Sequence, residues 1–162
     1  MTGTLFRRIP DSVEQQSDRM KELRSYVRFT ESDARTLREM LPLVESEFPR
    51  VSEVFYDRIR EHQEANAVLR DEAQVERLKK SLVRWQARVF SGPFDSTYVE
   101  QASTIGKVHV AVGLQQRFML TAMSVIREEL TAVLIALGHA DALSSLRKIM
   151  DIELAIMLDA YR

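Results

Sequence analysis

A histidine set among apolar residues at helical spacing is the first feature of this sequence that could do chemistry. Residues 94–114 read F-D-S-T-Y-V-E-Q-A-S-T-I-G-K-V-H-V-A-V-G-L, and Phe94, Tyr98, Ile105, Val108, His109 and Val112 recur on one helical face. A neutral imidazole in such a place gives its N–H to a carbonyl or hydroxyl, or its lone pair to a metal. Gly106, one turn earlier, leaves room for something broad and flat to approach the backbone. On these residues alone, a satisfied core histidine is the commoner outcome.

Other polar residues lie on apolar faces. In V-S-E-V-F-Y-D-R-I-R-E-H, residues Val51, Phe55 and Ile59 point one way and Tyr56 flanks them. Tyr56 is either a hydrophobe whose hydroxyl reaches water or a phenol aimed into a ligand cavity. Ser81 sits within the stripe Val75, Leu78, Leu82, Trp85 and Val89. It either bonds back to its own helix or offers a donor to a small polar ligand. His62, at a helix end in E-H-Q-E, and His139, in the turn after Gly138, read as surface histidines. Most acidic residues fall on solvated helix faces.

The elements that must position these residues are helices. The chain has 162 residues, 45% hydrophobic and 29% charged, with only five Gly and four Pro, and no segment alternates with period two. That is the pattern of one soluble all-α domain. A net charge of -1 gives no reason to expect nucleic acid or an anionic membrane as a partner. The absence of cysteine excludes disulfides, thiolate metal or cofactor ligation and cysteine nucleophiles. No signal-peptide pattern or membrane-length apolar run is present, so a cytoplasmic location is expected.

In order, residues 1 to about 10 read as a loose arm, and a helix is predicted from Asp11 to about Val27. Thr30 with Asp33 resembles a helix cap, Pro42 should bend or shorten the helix that follows, and Phe48-Pro49 marks a break. A polar connection is expected near 64–70, then a strong amphipathic helix ended by Ser91-Gly92-Pro93. Asp95 can cap the His109 helix and Gly113 closes it; the next helix stops at Gly138, and Asp141 should cap the last. The last two helices carry apolar residues around more than one face, which predicts that part of that surface meets a second subunit. The last helix reaches Tyr161-Arg162 without a capping Gly or Asn, so continuation into a further segment is expected.

Four ordered blocks then resemble one family. F-Y-D-R-I, W-Q-A-R-V-F-S-G-P-F-D-S-T-Y, I-G-K-V-H-V-A-V-G-L and D-I-E-L-A-I-M-L-D-A-Y are similar to the haem-binding globin domain of globin-coupled sensors, over residues from about Tyr26 to Tyr161. The most specific block is I-G-x-V-H-x-x-x-G-L. The resemblance implies a globin fold with an extra N-terminal helix and haem b (iron protoporphyrin IX) sandwiched between helices. Residues 1–28 would be the arm and extra helix, and 29–162 the globin sensor domain.

By the same resemblance His109 is the proximal iron ligand and Tyr56 the distal tyrosine whose hydroxyl donates to bound oxygen. Leu78 and Ser81 fall at positions lining the gas pocket, and Trp85 and Tyr98 at aromatic positions around it. Leu82, Ile105, Val108 and Phe118 complete the cofactor-binding set. Where the family shows Pro and an aromatic pair after G-L, this chain reads Q-Q-R-F-M-L, a departure in the proximal floor near Phe118. Tyr98 or a backbone carbonyl is expected to accept from the second nitrogen of His109. Arg84, Arg88 and Lys107 are candidates for the haem propionates by charge.

The implied function is a non-enzymatic sensor of oxygen that also binds carbon monoxide and nitric oxide. It would act as a homodimer through the last two helices and signal to a C-terminal output domain such as a cyclase, histidine kinase or chemotaxis transducer. Two other readings remain: a single-domain globin that oxidises nitric oxide or handles peroxide, and a haem-free helical regulatory module. The first of these needs an electron supply, and no flavin or nicotinamide fingerprint is present.

Overall fold

The structure, a computed structural model, describes residues 11–162, so the expected N-terminal arm lies outside the described residues. These fold into eight α-helices: α1 Val13–Val27, α2 Glu31–Val44, α3 Phe48–Arg60, α4 Gln63–Asn66, α5 Glu72–Ser91, α6 Ser96–Ala111, α7 Gln116–Ala136 and α8 Leu143–Leu158. There is no strand among the described residues. None of the helices is long and apolar enough to cross a membrane.

Local chemistry sets the ends. Ser12 and Gln15 form a reciprocal capping box at α1, the Ser12 hydroxyl accepting from the Gln15 N–H at 3.1 Å. The Asp33 carboxylate accepts from the Thr30 N–H at 2.9 Å at the start of α2. Asp71 and Asp95 accept from the N–H groups of Gln74 and Thr97, capping α5 and α6. Gly113 and Gly138 end α6 and α7 at φ of 78° and 79°. Pro42 lies inside α2, which stops two residues later and passes through a 3₁₀ turn, Glu45–Glu47, straight into α3. The expected polar connection before α5 contains the short α4. Asp141 does not cap α8: a 3₁₀ turn, Ala140–Ala142, precedes that helix, and the Asp141 carboxylate instead faces His139 at 3.8 Å.

Helix α8 is the axis of the packing, touching α1, α2, α5, α6 and α7. Its Leu146, Ile149, Met150, Ile152, Ile156 and Met157 are all buried, and they point around more than one face. Neighbours on several sides within one chain thus absorb both stripes of α8, so of the apolar surface expected to meet a second subunit only that of α7 is left uncovered. Each such side chain contributes about 1.5–3 kcal/mol by burial. On α7, Met119, Met123, Ile126, Leu130, Val133 and Leu134 are likewise internal, while Leu120 and Ile135, with Leu137 just beyond the helix, remain exposed. Helix α1 lies against α6, where Arg24 donates to the Phe94 carbonyl at 3.0 Å, and Arg19 pairs with Asp159 beyond α8.

Candidate functional site

Helices α3, α5, α6 and α7 enclose an apolar cavity of about 560 Å³, within the range of small-molecule and cofactor sites. Tyr56 enters it from α3, beside Phe55 and Ile59. Leu78, Ser81, Leu82 and Trp85 enter from α5, and Ile105, Val108, His109 and Val112 from α6. Phe118 contributes from α7. Nine of the ten sequence-predicted site residues therefore line one cavity, all except Tyr98.

The apolar face of α6 is not core throughout. Val108 and Val112 are 54% and 49% exposed, open to this cavity rather than to another helix. The periodic stripe thus lines the cavity at its C-terminal half and packs against protein at its N-terminal half. The consequence is a helix face kept apolar for something other than protein.

His109 is the one imidazole deep in that face. Its Nδ1 is buried and has no hydrogen-bond partner among the described residues, so neither Tyr98 nor a backbone carbonyl of theirs accepts from it. Burial lowers its pKa below the ordinary 6.5, which keeps the ring neutral with a lone pair to give. Tyr56 is buried, its ring edge-on to Phe55 at 4.9 Å, and its hydroxyl bonds to no other described residue. Burial pushes that phenol up to about 12, so it stays a donor at any physiological pH.

Ser81 does not bond back to a carbonyl of its own helix; its Oγ accepts from the side chain of Arg84, one turn along α5, at 3.0 Å, at the rim of the cavity. Arg84 faces a groove between α5 and α6 that shares Ser81, Trp85, Thr104 and Ile105 with the cavity. Arg88, by contrast, is committed inward, donating to the buried Glu153 at 3.0 Å. Lys107 is exposed and lines neither space. Of the three basic candidates, only Arg84 is placed at the rim with its charge unspent on a carboxylate. His62, the residue preceding α4, is exposed and borders the cavity; His139 is remote from it.

Two expectations are corrected. Tyr98 is fully buried away from the cavity, its ring under the Arg88 guanidinium at 4.5 Å. Burial first, and then the Glu153 carboxylate, raise its phenol pKa well above the usual value, with Arg88 pulling the other way. Gly106 admits not a flat ligand but a protein backbone: a Cβ there would lie 2.7 Å from the Met157 carbonyl oxygen of α8. Reading the sequence also missed Met119, Met123, Ile126 and Met157 as cavity walls. Their spacing marks them as buried, and nothing in it separates a residue that touches a cavity from one that touches another helix.

Among the described residues no three His, Cys, Asp or Glu side chains gather to hold a metal ion. His109 could instead give its lone pair to a metal already held in an organic chelate, a group that the apolar walls suit.

The Protoglobin family profile matches residues 16–162, and the chain belongs to that family. It is also similar to the globin domain of the Geobacter sulfurreducens globin-coupled sensor, at 30% identity over 88% of this chain and 97% of that one, with a TM-score of 0.83. The globin domain of Escherichia coli DosC in its ferric form shares the fold at 20% identity, covering 88% of this chain and 99% of that one, with a TM-score of 0.73. The protein is accordingly a globin domain of the globin-coupled sensor type.

Proposed function

We propose that this domain binds haem b between α5 and α6, with His109 as the proximal ligand, and senses oxygen. The observation that carries the reading is that His109 and Tyr56 open into one apolar cavity from different helices, each with a polar atom unclaimed by protein. Haem supplies, when bound, an iron centre with a coordination position for a diatomic gas. The neutral imidazole of His109 provides the lone pair that holds it. Leu78, Leu82, Ile105, Val108 and Phe118 keep water from the ring faces. Arg84 and Ser81 stand at the rim, where a charged carboxylate edge can meet a guanidinium.

Tyr56 supplies the selectivity. A hydroxyl donor aimed into an apolar pocket favours a gas that takes up partial negative charge on binding, as oxygen does, over carbon monoxide. Nitric oxide enters the same space. Residues 29–162 act as the sensor domain, with α1 as an added helix docked on α6, and the protein is not itself an enzyme. Two copies meet on the α7 side of the last two helices, where Leu120 and Ile135 of α7 and Leu137 just beyond it are the apolar side chains left uncovered. The signal passes to a C-terminal output domain, a cyclase, kinase or chemotaxis transducer, in the cytoplasm.

The test is absorption spectroscopy of the haem-reconstituted chain, ferric and ferrous, with and without oxygen and carbon monoxide. A sharp Soret band that shifts reversibly with each gas is expected, and His109→Ala should abolish stable retention unless imidazole is added. A broad spectrum like that of free haem, from protein that is helical by circular dichroism, refutes the cofactor reading and returns His109 to the core.

A further inference from the structure

Glu153 is a carboxylate on the central helix with no exposed surface at all. An isolated charge there would cost several kcal/mol, so its partners explain its presence. Its Oε1 accepts from Trp85 Nε1 at 2.7 Å and from Arg88 Nη2 at 3.0 Å; its Oε2 lies 3.5 Å from Arg88 Nη1. Tyr98 of α6 packs against the same Arg88. One carboxylate on α8 thus gathers two residues of α5 and, through Arg88, one of α6.

Trp85 faces two ways. Its ring lines the cavity, and its only polar atom is tied to α8. An apolar side chain would fill that wall as well without needing a buried acid behind it, and replacing buried ion pairs by apolar groups is often neutral or stabilising. The arrangement therefore does more than fill space. A displacement of the Trp85 ring by an occupant of the cavity moves an N–H whose acceptor sits on the helix that touches five others. Packed interiors respond to such shifts by changing between discrete arrangements rather than by yielding smoothly.

We propose that Glu153 is a positioning residue that fixes the Trp85 ring in the cavity wall and carries its movement into α8. The inference rests on the cofactor-binding reading above and adds to it the route by which gas binding reaches the rest of the domain.

Trp85 is the single tryptophan of the chain, so its indole can be followed without labels. The experiment is ultraviolet resonance Raman spectroscopy of the haem-loaded full chain, ferrous, with and without carbon monoxide. A shift of the indole N–H-sensitive band with gas is expected in the native protein, and Glu153→Leu, which removes the acceptor, should lose that shift while its Soret band still responds to gas. An equal shift in Glu153→Leu, or no shift in a native protein whose Soret band responds fully, overturns the proposal and leaves the cofactor reading standing. Absence of any haem Soret band in the native protein overturns both. Should Glu153→Leu fail to fold, Trp85→Phe keeps a ring in the wall and removes the N–H. In native protein, amide hydrogen exchange across residues 143–158 should then change on adding carbon monoxide, and in Trp85→Phe that change should be lost. Its persistence in Trp85→Phe likewise overturns the proposal.

Discussion

The Met157 carbonyl oxygen occupies the space that a side chain at Gly106 would need, 2.7 Å from an ideal Cβ position, with Met157 Cα at 2.9 Å and Ala160 Cβ at 3.2 Å. Helix α6, which carries His109 one turn later, can therefore lie backbone to backbone on α8. Two of the three obstructing atoms are main chain and cannot swing aside.

Gly106→Ala should accordingly push α6 away from α8. Overpacking of this kind costs about 1–3 kcal/mol, partly offset by the better helix propensity of Ala. The expected result is a lower urea midpoint with an unchanged m-value, together with a displaced or broadened Soret band in haem-loaded protein because His109 moves with its helix. An unchanged midpoint would mean that the two helices separate freely.

In cofactor-free protein, His109 should make stability fall with acid. Burial lowers its folded pKa, so as pH drops below the ordinary 6.5 the unfolded chain takes up the proton first and the folded state is disfavoured. The loss continues until the pH reaches the lowered folded value. His109→Leu removes both this slope and a buried nitrogen with no partner, so the variant should be at least as stable as the native protein at about pH 7.5 and more stable at about pH 5.5. Urea titrations at the two values check it. The same variant should retain no haem, which would place His109 among residues that serve binding at the expense of the fold.

How much of this was readable beforehand depends on what each residue meets. Helical periodicity gave the helices, and short polar side chains such as Asp95 and Thr30 marked starts that the backbone geometry bears out. Tyr98 and His109 are eleven residues apart and share a helical face, yet about 16 Å of helix rise separates them. The cavity reaches only the second, while Arg88 and Glu153 cover the first. Spacing reports the face and not the neighbour along it. The two stripes of α8 misled for the same reason, since a sequence cannot say that five helices surround one. Glu153 had a signal that went unread: it stands between Ile149 and Ile156, at the spacing of a buried stripe, where an acid needs a partner.

Asp33 should anchor α2 to α8 and make that contact acid-sensitive. Its carboxylate accepts from Ser145 at 2.7 Å, the Thr30 N–H at 2.9 Å and Lys148 at 3.3 Å. Burial alone would raise its pKa, but those hydrogen bonds and the Lys148 charge outweigh it and hold the group below its ordinary 3.8. The stabilisation is thus fully present above that value and is lost as pH falls through the lowered folded one. Asp33→Ala removes a helix cap and two interhelical partners, with an expected loss of about 2 kcal/mol near neutral pH. Native and variant should converge in strong acid, and thermal melts across that range test it.

Tyr56→Phe isolates the hydroxyl. The phenol bonds to no other described residue, so its removal leaves no protein donor or acceptor stranded and should change folding stability little. Its effect should fall on the ligand instead. A hydrogen bond to a group bearing charge is worth about 1.5–3 kcal/mol, so oxygen should leave about 10- to 100-fold faster, while carbon monoxide dissociation changes far less. Stopped-flow or flash photolysis on the reconstituted protein gives both rates. Ring packing against Phe55 is retained in the variant, which separates the hydroxyl from the shape of the pocket. Equal changes for the two gases would show that the variant altered access to the cavity, and that the Tyr56 hydroxyl does not point at the bound gas.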